Sequence, residues 1–157
     1  MLAALKARDG SALAPLVHPD KGVRFSPYAF VHSDSDVVIP AATVAGLFAD
    51  TTRRLWGHAD GTGDPLRMAF ADYYKRFVYD LDFGAAPTVR VNGEPIRPGN
   101  APSNLKTAYP GARWVEFHYP QIDQRYEGMD WRSLWLVFEP HGSEWRLTGV
   151  VHGSWTI

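Results

Sequence analysis

The sequence predicts an α+β fold in which N-terminal and central helices pack against a curved antiparallel sheet. Two observations predict it. The amphipathic helical patterns lie before residue 82, with one short turn after it. The stretch 113–157 reads as three consecutive strands, Trp114–Tyr119, Trp131–Glu139 and Glu144–Ile157, with no helix between them. Strands that follow one another without crossover helices pair antiparallel rather than as βαβ units.

From the N-terminus, Leu2, Leu5, Leu13, Leu16 and Val17 form a helical stripe interrupted at Asp9-Gly10-Ser11, which predicts one helix or two short ones. Pro19 ends it, and His18–Gly22 is a turn. Val23–Val31 is extended, with an irregularity at Pro27, and His32–Asp36 is a polar loop. Val37–Ile39 is a short strand or the entry to the next helix, and Val44, Leu47 and Phe48 at i, i+3, i+4 predict a helix over 41–49. Asp60-Gly61 between Arg53–His58 and Pro65–Met68 is a hairpin signal. Phe70, Tyr73, Tyr74, Phe77, Val78 and Leu81 match the full amphipathic template, so a helix is predicted over 70–81, closed by Gly84 and Pro87. Thr88–Val91 is a strand, Asn92–Ser103 a Gly/Pro-rich loop, and Asn104–Tyr109 one helical turn. Helices laid across a curved sheet in this order describe a cystatin-like or NTF2-like roll, with a two-layer α+β sandwich as the alternative.

At 157 residues the chain is read as one domain, 1–157, large enough to bury a core. Six Trp, seven Tyr and eight Phe fit a dense core or an apolar cleft equally. Basic and acidic residues number 16 and 17 and form no basic run, which argues against nucleic acid as a partner. No apolar stretch reaches the ~18 residues of a membrane span. The absence of cysteine excludes disulfides, thiolate nucleophiles and thiolate metal sites.

Four segments carry a resemblance: VHPDKGVRFSPY (17–28), YYKRFVYD (73–80), YEGMDWRSLWLVFE (126–139) and VVHGSWTI (150–157). Together they resemble an uncharacterised family of small bacterial domains found as the exported or lipid-anchored part of longer precursors. The resemblance implies an NTF2-like fold and an exported or cell-envelope location for a trimmed mature domain; otherwise the chain is cytoplasmic. It brings no catalytic residue with it.

Strand alternation supplies the site candidates. In the last strand Trp145, Leu147, Gly149, Val151, Gly153 and Trp155 share one parity, and Arg146, Thr148, Val150 and His152 the other. In 114–119, Trp114, Glu116 and His118 alternate with Val115, Phe117 and Tyr119. If the polar parities coincide, Glu116, His118, Arg146 and His152 share a face, either as an acid/base constellation or as solvent-facing charge pairs. Trp145, Leu147, Val151 and Trp155 are then buried on the opposite face. Arg24, Ser26 and Tyr28 alternate along a second strand, where an Arg with hydroxyls can grip a carboxylate or phosphate. Tyr73, Tyr74, Asp80 and Asp82 surround the end of the main helix, where they either enter a pocket or divide between core and solvent. Asp123–Asp130 is a rim loop or a polar connection. His18, His32, His58, His118, His141 and His152 lack H-x-H or H-E-x-x-H spacing, so no metal ion is expected. G-x-S-x-G, G-K-[ST] and G-x-G-x-x-G are absent as well, and no cofactor is expected.

The resulting expectation is a monomeric or homodimeric domain that binds a small molecule or partner in an aromatic-lined pocket between the 70–81 helix and the sheet. Its candidate ligand contacts are Arg24, Tyr28, Tyr74, Trp114 and Arg146. The alternative is a cofactor-independent NTF2-like hydrolase, lyase or isomerase with His118 or His152 paired to Glu116 or another carboxylate.

Overall fold

The chain begins with α1 (Leu2–Ala7) and α2 (Gly10–Leu13). They separate because Arg8 turns left-handed, at φ 54°, and the Asp9 side chain accepts the Ala12 N–H at 2.9 Å to cap α2. A 3₁₀ turn over Ala14–Leu16 leads to β1 (Val23–Ser26), which stops before Pro27, and then to β2 (Val37–Ile39). α3 (Ala41–Val44) and a 3₁₀ turn over Leu47–Ala49 share the segment expected to be one helix. The hairpin forms as β3 (Arg54–His58) and β4 (Pro65–Met68). Then come α4 (Phe70–Phe77), β5 (Thr88–Val91) and α5 (Leu105–Ala108). β6 (Arg113–Tyr119), β7 (Arg132–His141) and β8 (Glu144–Ser154) complete the chain. The computed structural model describes residues 1–97 and 102–155; the middle of the 92–103 loop and the last two residues of the expected 144–157 strand lie outside them.

The fold class is the predicted one: an α+β arrangement in which N-terminal and central helices pack against a sheet. Its six strands run in the order β2-β1-β8-β7-β6-β5. All pairings are antiparallel except one. β1 runs parallel to β8, with Arg24 beside Gly149 and Ser26 beside Val151.

α4 is shorter than the 70–81 pattern. Phe70, Tyr73, Tyr74, Phe77 and Val78 are buried as the template requires, but the helix ends at Phe77. The next residues form their own polar turn. The Tyr79 hydroxyl donates to Asp82 Oδ1 at 2.8 Å and accepts the Gly84 N–H at 3.2 Å. Local side-chain bonds of this kind compete with helical ones.

The sheet is covered on both faces. On the α4 face, Phe25, Trp56, Phe70 and Tyr73 join Leu134, Leu136, Leu147 and Val150 in the larger core. Trp56 stacks on Tyr73 at 4.1 Å between centroids, and its Nε1 donates to the Met68 carbonyl at 2.9 Å. Burial of each such ring contributes roughly 1.5–3 kcal/mol, so much of the aromatic content is structural. On the other face Val31, Leu105 and Tyr109 cover Trp114, Trp135, Val137 and Val151.

A bulge at Thr148 overturns the expected parity of the last strand. Val137 pairs with Gly149, but Phe138 pairs with Leu147, so Thr148 is the extra residue. Beyond a bulge the alternation changes phase. Leu147 therefore lies on the α4 face with Val150 and His152, while Val151 lies on the opposite one. Trp145 and Trp155, expected in the core, are 42% and 41% exposed.

Gly153 makes room for an indole. A Cβ there would lie 2.5 Å from the Trp135 ring. Gly153→Ala is expected to lose about 2 kcal/mol through overpacking, measured by urea denaturation. An unchanged midpoint would mean that the Trp135 ring moves aside freely.

Candidate functional site

The C-terminal strands position two buried polar clusters, one on each face. The first lies beneath the end of α4. Because the helix stops at Phe77, Asp80 turns onto the sheet. His152 Nε2 lies 3.2 Å from both Asp80 oxygens, and Arg132 Nε donates to Asp80 Oδ2 at 3.0 Å. Arg132 also donates from Nη1 to the carbonyls of Asp130 and Trp131. The side chains are 3% (His152), 17% (Asp80) and 29% (Arg132) exposed. Burial pushes the Asp80 carboxyl upward, but His152 and Arg132 outweigh it and hold the group below the usual carboxylate range.

A cleft of about 270 Å³ opens above this cluster. Arg76, Phe77 and Asp80 line it from α4 and the residues after it, and Arg132, His152 and Ser154 line it from the sheet. Tyr28, Asp60 and Trp155 form the rim. The Tyr28 hydroxyl accepts the Asp60 N–H at 3.0 Å, which fixes that side of the mouth. The Arg76 guanidinium lies 4.8 Å from the Phe77 ring centroid and has no acidic partner among the described residues.

The second cluster is Glu116, Ser133 and His118, exposed by 2%, 0% and 2%. Ser133 Oγ donates to Glu116 Oε1 at 2.7 Å, so the 2.8 Å contact to His118 Nδ1 is an Nδ1–H donating to Ser133. The Ile96 N–H donates to Glu116 Oε2 at 2.9 Å. Burial raises the Glu116 carboxyl, against the lowering by Ser133 and Ile96. Burial, reinforced by the Arg97 and Arg90 charges, lowers His118 to about 4.

The expected convergence of Glu116, His118, Arg146 and His152 therefore does not occur. His118 and Glu116 lie on one face and His152 on the other, and both imidazoles are buried rather than solvated. His118 reaches Glu116 only through Ser133, whereas His152 does lie beside a carboxylate, Asp80 rather than Glu116. The five ligand candidates are dispersed as well. Only Tyr28 reaches the α4 cleft. Tyr74 is in the core, its hydroxyl donating to the Leu5 carbonyl at 2.6 Å. Trp114 is on the opposite face, Arg146 bonds Pro15 O and Glu144, and Arg24 donates to the Ser33 carbonyl at 2.7 Å. The Asp123–Asp130 stretch closes on itself, with Asp130 accepting the Ile122 and Asp123 N–H groups. Arg76 and Arg132 carried no sequence signal, being ordinary basic positions beside apolar ones. Asp80 was visible only as a residue near a helix end.

His18, Asp20 and His141 bring three metal-ligand atoms within 4.8 Å of one another. His18 does not suit a metal. Its Nδ1 accepts the backbone N–H groups of Asp20 and Lys21 at 3.3 and 3.2 Å, which places the ring proton on Nε2, the nitrogen a metal would need bare.

No protein-family model and no curated protein matches the chain. The resemblance to exported bacterial domains has no counterpart in these comparisons. A solved chain titled as a variant of Rd1NTF2_05 is similar over 97% of this chain and 89% of that one, at 14% identity and a TM-score of 0.38. A likeness that loose carries no functional inference. Among the described residues no helix is long and apolar enough to cross a membrane.

Proposed function

We propose that the chain is one domain that binds a small acidic molecule with a flat apolar part in the cleft at the end of α4. The observation that carries this reading is the ionic floor. Asp80, His152 and Arg132 form a largely buried charged cluster directly beneath an open cavity. Burying charge is costly unless it is paired and held, and here the held charges line a recess. Arg76 supplies a cation for an anionic group, and Phe77, Tyr28 and Trp155 supply apolar faces.

The rival reading is the cofactor-independent enzyme, and it draws support from the His152–Asp80 contact. The geometry argues against proton transfer by His152. Its Nε2 faces Asp80, and its Nδ1 is buried without a partner, so neither nitrogen is presented to the cleft. Asp80, held ionised by two partners, is a weak base.

Calorimetric titration with benzoate-type carboxylates tests the binding reading. Saturable binding is expected, and Arg76→Gln is expected to weaken it about tenfold without moving the unfolding midpoint, since Arg76 is exposed. Absence of binding across such acids, or equal affinity in the variant, would refute it.

A further inference from the structure

A larger cavity, about 390 Å³, lies away from the α4 cleft, beside β1, β7 and β8 and below the end of α5. Five side chains with polar atoms face it: Lys21, Arg24, Tyr109, Glu139 and Thr148. Lys21 Nζ holds Glu139 Oε1 at 2.6 Å, so these two charges cancel. The Arg24 guanidinium bonds only a neutral acceptor, the Ser33 carbonyl, among the described residues. Asp36 is near enough to feel Arg24, but its Oδ2 accepts from Ser26 and from the His32 N–H instead. The cavity thus retains one positive charge without a carboxylate on it.

Two of the residues lining the same space carry hydroxyls. Tyr109 is 5% exposed, its hydroxyl has no partner at good hydrogen-bonding geometry, and the Arg24 guanidinium is near enough to act on it. Burial pushes that hydroxyl above its ordinary range, so it keeps its proton and remains a donor. The sheet leaves room for it: a Cβ on Gly149 would lie 2.5 Å from the Tyr109 oxygen. Thr148 is the bulged residue of β8, and its hydroxyl has only a contact of 3.5 Å to the Val137 carbonyl, at the limit of a bond. Bulges commonly re-aim a side chain next to a site. A buried donor without an acceptor calls for an explanation. An unmatched guanidinium and a weakly engaged hydroxyl beside it supply one.

The geometry points to a second binding site, for a small oxyanion such as a phosphate or carboxylate group, held by Arg24, Thr148 and Tyr109. It has no exposed aromatic face, so it takes the bare anionic group and not the flat ligand of the α4 cleft.

Amide NMR of the intact protein, titrated with inorganic phosphate and separately with acetate, tests this. Saturable shifts are expected at Lys21, Tyr109, Thr148 and Gly149. Phosphate and acetate compared directly show which oxyanion is preferred. Tyr109→Phe discriminates a ligand role from a structural one. It removes a buried hydroxyl that has no well-formed hydrogen bond in the protein, so stability holds or rises, while affinity falls about tenfold. Arg24→Gln should lower affinity by at least as much. The proposal is overturned if no saturable shift appears, if the shifts map to Asp80, His152 and Ser154 instead, or if Tyr109→Phe titrates like the parent. Benzoate binding in the α4 cleft is read from separate residues, so either site can fail alone.

Discussion

Asp80→Ala is expected to lower the unfolding free energy by about 3 kcal/mol, the low end for removing one partner from a buried ion pair. The low end applies because Arg132 remains 29% exposed. The loss arises mostly from what is left behind. Arg132 Nε and His152 Nε2 both lose their acceptor, and the His152 ring, packed edge-on against Phe77 at 5.9 Å, stays buried. Asp80→Asn keeps one acceptor oxygen and should lose about half as much. Urea denaturation of the three proteins measures the difference. A loss below about 1 kcal/mol, typical of an exposed pair, would mean that the cluster is solvated, and the ionic floor of the cleft would then carry no weight.

The second large effect is a loss of stability on mild acidification, centred on His118. The imidazole binds a proton near 6.5 in the unfolded chain and only near about 4 in the fold. Across that window the unfolded state takes up the proton first, so stability is full above 6.5 and falls as the pH drops towards about 4. The depression corresponds to on the order of 3 kcal/mol. Glu116 acts in the opposite sense. Its carboxyl is raised above 4.5, so its protonation favours the fold at the low end of the window and softens the decline there. Asp80, held low, begins to lose its contribution only below 3.8. His118→Gln, which can still bond Ser133, should remove most of the slope between 6.5 and about 4. Denaturation midpoints at a series of pH values decide the matter. A parent and variant with parallel pH curves would place the acid sensitivity elsewhere.

The parts of this fold that were legible in the sequence are those set by local chemistry. Phe70, Tyr73, Tyr74 and Phe77 specify the buried face of α4, and Asp60-Gly61 marks the β3–β4 hairpin. Strand pairing through β6, β7 and β8 follows from their order in sequence without a crossover helix. What was illegible depends on distant partners. Nothing in Gly-Val-Val-His announces that Thr148, just before it, is an unpaired residue, yet that one residue decides which face His152 occupies. The end of α4 depends on a turn made by Tyr79, Asp82 and Gly84, whose residues read equally well as a continuing helix. Arg132 acquires its role only when residue 80 arrives across a gap of 52 positions. The local pattern placed Glu116, His118, Arg132 and His152 on strands but could not assign them a face.

The parallel seam between β1 and β8 has a consequence for the order in which the chain can be completed. β1 finds its β2 neighbour within a few residues, but its other edge is matched only by residues 149–151, far along the chain. Until that pairing forms the Arg24–Ser26 backbone is an open edge, and such edges recruit strands from other molecules. Closing so distant a pair raises the contact order and slows the final step. The last strand thus acts as a latch: its arrival removes the growing chain's exposed edge and, in the same movement, brings His152 to Asp80.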